Sequence, residues 1–256
     1  MSTDPQGAPR PLPDRPNLRH LKEQAKDLLK AGIAKSVAAA QFQIARLYGF
    51  ASWPKLKAYV ESLREIGQLK QAIDRNDLDR VKTMMSRNLA LHRAPLGYGK
   101  DGPLTWVAEC RVPWGPPSPT RLAMAKWMIE NGSDVHQGGD GPLMRAAQQE
   151  RIPMMELLVA HGANVNAEWH GEYPIIYSAC EAVDAVALKW LLEHGANPNC
   201  DNLTRTYPDT ALDYVIGSYV RSPELRACID LLAEAGCRTK CPAPVLDVLR
   251  NDLDGL

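Results

Sequence analysis

Apolar residues recur at helical spacing in short paired runs along most of the chain, and polar stretches interrupt them at similar intervals. From Asn17 onward, Leu18, Leu21, Ala25, Leu28 and Leu29 follow a 3.6-residue period, with Asn17 placed to cap the helix and Gly32 to end it. Ser36 can cap a second helix ending at Tyr48-Gly49. Ser52 can cap a third, which turns Leu56, Tyr59, Val60, Leu63 and Ile66 inward. Helices of this kind pack as a three-helix bundle over residues 17–66. Residues 1–16 are rich in Pro and polar side chains and predict a disordered tail.

Beyond residue 67 the pattern repeats. His161–Asn166, HGANVN, returns as His194–Asn199, HGANPN, and in degraded form as Asn131–His136, NGSDVH, and Ala235–Lys240, AGCRTK. Each is preceded by an apolar run: AMAKWMIE, MMELLVA, ALKWLLE and CIDLLAE. The helix openers GPLTWVAEC at 102, GPLMRAAQQ at 141, YPIIYSAC at 173 and TALDYVIGS at 210 complete the units. Gly132, Gly162, Gly195 and Gly236 are spaced by 30, 33 and 41 residues. The unit is therefore a helix, a turn, a second helix and a hairpin. A single unit cannot bury its apolar faces, so neighbours stack on one continuous core.

These residues resemble the ankyrin repeat family. Gly171–Ala179, GEYPIIYSA, lies over that family's G-x-T-P-L-H-x-A-A signature, and LLEHGANPN is close to its helix-to-loop consensus. Tyr173 stands in place of the signature Thr, Ile176 in place of His, and Ala211 in place of Pro in the last unit. Leu69–Ala94 has the paired-helix pattern without the Gly-Ala turn and reads as an N-terminal capping repeat. The resemblance implies an all-α ankyrin solenoid of about five units over residues 67–241, with residues 242–256 as a C-terminal capping helix or tail. The segments NLRHLKEQAKDLLK and AQFQIARLYGFASWPKLKAYVE are similar to a helical leader found before ankyrin arrays in bacterial proteins. That similarity implies a bacterial source and no activity.

In such an array the helical Leu, Ala and Val positions are committed to packing, and His161 and His194 to capping or packing at helix ends. Hairpin tips and first helices remain for recognition. Val165–Tyr173 crosses between repeats and is expected to be an exposed finger, where Trp169, His170, Tyr173 and Glu168 are candidate partner contacts. Arg145, on the preceding helix opener, joins them. Arg111–Thr120, RVPWGPPSPT, holds four prolines and a glycine that forbid helix and display Trp114 on an extended loop. These residues predict a protein partner docked in the concave groove, with Trp114 as a second contact.

Charge changes this picture little. Lys plus Arg and Asp plus Glu both total 30, although residues 1–66 hold 11 basic and 6 acidic side chains, leaving 19 and 24 for residues 67–256. An alternative is a DNA-binding regulator: Ala45 and Gly49 stand four apart before a turn, and Arg46, Lys55 and Lys57 are the nucleic-acid candidates. Against it, Trp53-Pro54 occupies the stretch that would meet base edges, and the excess charge is small for phosphate binding. No GK[ST] loop, GxSxG or HExxH occurs, and Cys237-Arg-Thr-Lys-Cys241 has no second ligand pair. His170 between Glu168 and Glu172 could serve as a general base only inside a pocket. The expectation is a non-enzymatic chain with no catalytic residue, cofactor or metal. With neither a signal peptide nor a spanning segment, it is expected to be cytoplasmic, monomeric and off the membrane, with reduced, mostly buried cysteines.

Overall fold

A computed structural model describes residues 9–97, 99–109, 118–200, 210–217, 222–242, 245–246 and 248–249. The chain forms two compact units, Met1–Gln68 and Leu69–Leu256. The first contains α1 (Leu18–Lys30), α2 (Val37–Leu47) and the greater part of α3 (Trp53–Asp74). The Asn17 and Ser36 side chains cap α1 and α2, accepting from the backbone N–H of Arg19 and Ala39 at 2.8 and 3.1 Å. Leu21, Ala25, Ala40, Ile44, Ala45, Leu56 and Val60 form its core. Tyr59 departs from the expectation. It lies one helical position off the inward stripe, is 45% exposed, and rests its ring 5.2 Å from Phe50. The end of the expected disordered tail is also placed: the Arg10 N–H donates to the Leu47 carbonyl at 2.8 Å, and Leu12 packs on the core. The apolar contact of Leu12 gives this proline-rich stretch a seat without secondary structure of its own.

The second unit is a row of paired helices. The last turns of α3 pair with α4 (Leu78–Arg87), which is followed by a 3₁₀ turn at Leu89–Arg93. After them come α5 (Pro103–Glu109) with α6 (Pro119–Glu130), and α7 (Gln137–Gln148) with α8 (Ile152–Ala160). Then follow α9 (Ile176–Ala182) with α10 (Ala185–Glu193), and α11 (Ala211–Ile216) with α12 (Pro223–Glu234). First helices stack α5 on α7 on α9 on α11; second helices stack α4 on α6 on α8, and α10 on α12. Between the layers Val107, Ala108, Leu143, Ala146, Ala147, Ala179, Leu188 and Leu191 are fully enclosed. The short helices start where the sequence supplies a cap: Ser118, Asp184, Thr210 and Ser222 each accept a backbone N–H of the first turn. Gly132, Gly162, Gly195 and Gly236 follow α6, α8, α10 and α12 with φ of 107°, 98°, 87° and 72°, the left-handed turn that other residues resist. His161 and His194 fold back on their own helices, each Nδ1 lying 2.8 and 2.7 Å from the carbonyls of Leu157 and Trp190.

Successive repeats are stitched by a ladder of side-chain amides. Asn166 donates from Nδ2 to the Gly195 carbonyl at 2.9 Å and accepts the Asn197 N–H at 2.7 Å. One repeat later Asn199 donates to the Gly236 carbonyl at 3.1 Å and accepts the Arg238 N–H at 2.6 Å. The preceding rung falls on His136, which has no amide. There the chain makes a left-handed turn through Gly138, Gly139 and Asp140, with φ of 73°, 74° and 56°, before the helical part of α7 begins. This turn brings the buried Asp140 carboxylate to the Asn164 N–H at 2.9 Å and to His136 Nδ1 at 3.1 Å. No helix among the described residues is long and apolar enough to cross a membrane.

Candidate functional site

The residues singled out between Val165 and Tyr173 build a short antiparallel hairpin. In it β1 (Glu168–Trp169) pairs with β2 (Tyr173–Pro174), setting Trp169 opposite Tyr173. At its tip His170 and Gly171 have φ of 53° and 72°, and the turn closes through Gly171 N–H to the Glu168 carbonyl at 2.9 Å. A histidine in the left-handed region is strained and persists only where its surroundings hold it.

Two other repeats hold it. The His170 N–H donates to the Gly138 carbonyl at 2.8 Å. The carboxylate of Asp101, a residue 4% exposed, accepts from Trp169 Nε1 on Oδ2 at 2.8 Å, and His170 Nε2 lies 2.9 Å from Oδ1, an ion pair when the imidazole is protonated. Gly138 makes room for that carboxylate, since a Cβ there would stand 2.6 Å from Asp101 Oδ1. The Arg145 guanidinium sits 5.5 Å from the centre of the Trp169 ring, a cation–π contact, and donates to Gln148 Oε1 at 2.8 Å. Trp169 is half-buried, and the His170 side chain keeps 49% of its surface exposed.

The expectation that the whole stretch is an exposed finger is corrected at both ends. Val165 and Tyr173 are buried, at 9% and 6% exposure. The Tyr173 ring meets Tyr177 edge-on with centroids 6.1 Å apart, and its hydroxyl donates to Glu181 Oε2 at 2.8 Å. Burial first, and the Glu181 charge second, hold its phenol protonated far above the ordinary tyrosine range. The reason is that β2 itself rests on α9, which covers the Tyr173 side chain. Tyr173 is packing that supports the finger from beneath. Glu168 lies half-buried in β1, and Glu172 is exposed at the turn.

Three residues escaped the sequence reading: Trp106, Tyr177 and Tyr214, which with Arg145 occupy the same register of the four first helices, three positions after Pro103, Pro142, Pro174 and Ala211. Trp106 donates from Nε1 to Asp74 Oδ1 at 2.7 Å and lies 4.1 Å beneath Lys70 Nζ, while Tyr177 and Tyr214 meet at 4.9 Å. The equal offset from the opener is the signal that would have found them.

The proline loop around Trp114 lies outside the described residues. Of the nucleic-acid candidates in the first unit, Arg46 and Lys55 are exposed and Lys57 pairs with Glu61 at 3.7 Å. The basic residues of α1 are interleaved with acid, Lys26 pairing with Glu23 at 3.0 Å and Lys30 with Asp27 at 4.0 Å. Among the described residues no group of three or more His, Cys, Asp or Glu side chains is gathered to hold a metal ion.

Comparison with known proteins agrees with this architecture. Residues 119–202 match the family model for ankyrin repeats in three copies. The chain is 26% identical over 113 residues to an ankyrin repeat protein of fowlpox virus, covering 44% of this chain and 18% of the viral one. It is 31% identical over 84 residues to the mouse B-cell lymphoma 3 protein homolog, covering 30% of this chain and 19% of that protein. The matched stretches thus span less than a fifth of either relative. Ankyrin repeats are in general modules of protein–protein interaction, and the helix pairs, left-handed glycine turns and amide ladder lie in register with the ankyrin repeats matched at residues 119–202.

Proposed function

We propose that the array spanning about residues 67–241 binds a protein partner across its first helices and the hairpin at 168–174, without catalysis of its own. The observation that carries this reading is a finger tip that is exposed and yet immobilised. His170 shows half of its side chain to solvent while two hydrogen bonds to Asp101 and Gly138, and the approach of its own ring to the Asp101 carboxylate, fix the finger. A surface ordered before contact loses little conformational entropy on binding. Trp169, His170, Glu168 and Glu172 form the tip, Arg145 holds the Trp169 ring, and Trp106 and Tyr214 extend the same face along α5 and α11.

The test is affinity capture from lysate with the full chain and a His170→Ala/Glu172→Arg variant as parallel baits, each with and without nuclease. A protein retained by the wild type and lost by a variant of unchanged circular dichroism supports the reading. Equal retention by both baits overturns it, and nuclease-sensitive retention points instead to Arg46, Lys55 and Lys57.

A further inference from the structure

The first unit carries a surface that the repeats do not account for. Between Asp27 and Glu61 the sequence holds five basic side chains and no acidic one. Nine large apolar side chains are exposed among the described residues, and five of them, Ile33, Val37, Phe42, Leu47 and Tyr59, fall in that same stretch. Apolar groups exposed singly need no explanation, but a concentration of them marks a contact surface. Helical geometry interleaves the two kinds of side chain. On α2 the exposed Ala38, Phe42 and Arg46 stand four apart and form one row, with Phe42 and Arg46 turned away from the enclosed Ala40 and Ile44. On α3 the exposed Lys55 and Tyr59 repeat that spacing, and the Tyr59 ring leans on Phe50 at 5.2 Å. Lys30 and Lys57 pair with Asp27 and Glu61 at the two borders of the stretch, whereas Lys35, Arg46 and Lys55 within it have no ion pair among the described residues.

Charge complementarity selects the occupant. A second copy would set the same cations against one another, which opposes association. A phosphate backbone is met by cations alone, and nucleic-acid bases stack on aromatic faces, which Ile33, Val37 and Leu47 do not offer. A bilayer takes up a helix with a continuous apolar side, but the apolar side of α2 is spent on the core of the bundle and its outer row ends in Arg46. An acidic helix with apolar residues three and four apart answers both the cations and the apolar side chains.

We propose that the first unit docks an acidic amphipathic helix of a partner protein against α2, the partner's apolar side chains meeting Phe42 and its carboxylates meeting Arg46, with Lys35 before the helix and Lys55 after it as further cations. This surface is separate from the finger and does not depend on what the finger binds.

The test displays random peptides, each long enough for about four helical turns, to the full chain at physiological salt, with a Phe42→Ser/Arg46→Glu variant as parallel bait. Both changed side chains are exposed, and circular dichroism checks that the variant keeps its helices; Lys55→Glu/Tyr59→Ser serves as a second variant should the first fail to fold. Peptides kept by the wild type and lost from the variant should be net acidic, with Leu, Ile or Phe three and four apart. A synthetic copy of the strongest should bind the wild type and lose about tenfold or more in affinity with either Phe42→Ser or Arg46→Glu alone. Added salt should shrink the effect of Arg46→Glu and leave that of Phe42→Ser, and the finger variant His170→Ala/Glu172→Arg should bind as the wild type does. Retained peptides without an acidic bias, or held equally by wild type and variant, overturn the proposal, as does the absence of any retained peptide. Single-stranded DNA and vesicles of phosphatidylserine with phosphatidylcholine are run beside the peptides. Retention on either that exceeds peptide binding and is lost in the variant also overturns it, and assigns the surface to nucleic acid or to lipid.

Discussion

The substitution of an aspartate for a missing ladder rung can be tested by moving the rung back. Asp140 accepts the Asn164 N–H and the His136 ring, doing for this junction what Asn166 and Asn199 do for the next two. Asp140→Gly is the cleanest deletion, because at φ of 56° glycine fits without strain. Loss of a hydrogen bond to a charged acceptor costs about 1.5–3 kcal/mol. The pairing with His136, whose side chain is 54% exposed, adds roughly 0–1 kcal/mol after screening by solvent, and glycine's backbone freedom adds about 0.5–1 kcal/mol. The expected loss of about 2–5 kcal/mol corresponds to a fall in melting temperature of roughly 4–20 °C for a unit of this size.

His136→Asn in that background places an amide where Asn166 and Asn199 stand in their repeats, able to accept the Asn164 N–H and donate to the Gly162 carbonyl. Two neutral hydrogen bonds should return about 1–3 kcal/mol. In otherwise wild-type protein the same His136→Asn should change stability by less than about 1 kcal/mol, because Asp140 already occupies the Asn164 N–H. A double-mutant cycle from urea midpoints then shows a favourable coupling of about 1–2 kcal/mol. Additive effects, or a double variant no more stable than Asp140→Gly, would refute the equivalence of His136, Asn166 and Asn199.

Gly195→Ala should lower stability by about 1–2 kcal/mol, read from urea midpoints, since φ is 87° and the added Cβ meets nothing within 4 Å, which leaves only backbone strain. His92 is 3% exposed, with Nδ1 at 2.7 Å from Ser133 Oγ, and burial pushes its imidazole below the ordinary 6.5. The unfolded chain then binds the proton first, so stability should fall as pH drops through about 6.5, and His92→Gln should flatten that part of the curve of urea midpoint against pH. Burial also raises the Cys180 thiol well above its ordinary range and pushes Cys228 up to about 12, so both should escape alkylation at pH 8 and react once urea unfolds the chain, as peptide mass spectrometry would reveal.

The elements were legible in the sequence where local chemistry decides them. Asn17, Ser36 and Ser52 mark helix starts because a short polar side chain satisfies an orphan N–H, and the repeating glycines mark the left-handed ends. The stacking of units followed from period alone. The content of the finger was less legible, because it is settled by residues far away in the chain. Trp169 and Tyr173 read as equivalent exposed aromatics, yet the Trp169 indole reaches a carboxylate 68 positions earlier while Tyr173 is covered and bonds to Glu181 of α9. Tyr59 was misplaced for a smaller reason, one step of helical phase at the rim of a three-helix core.

The departures from the family signature are linked through the turn at 138–140. His136 cannot serve as a rung, so the chain must supply another acceptor, and the left-handed turn that delivers Asp140 also turns the Gly138 carbonyl toward His170. That turn needs glycine, and the absence of a Cβ at 138 opens the space into which Asp101 extends from the previous repeat. With the carboxylate there, the Trp169 indole at the next finger has an acceptor to meet, and the His170 ring lies beside it. A polar group buried by packing must find partners. The residues that made this stretch anomalous as a surface loop are therefore those that meet the buried Asp101.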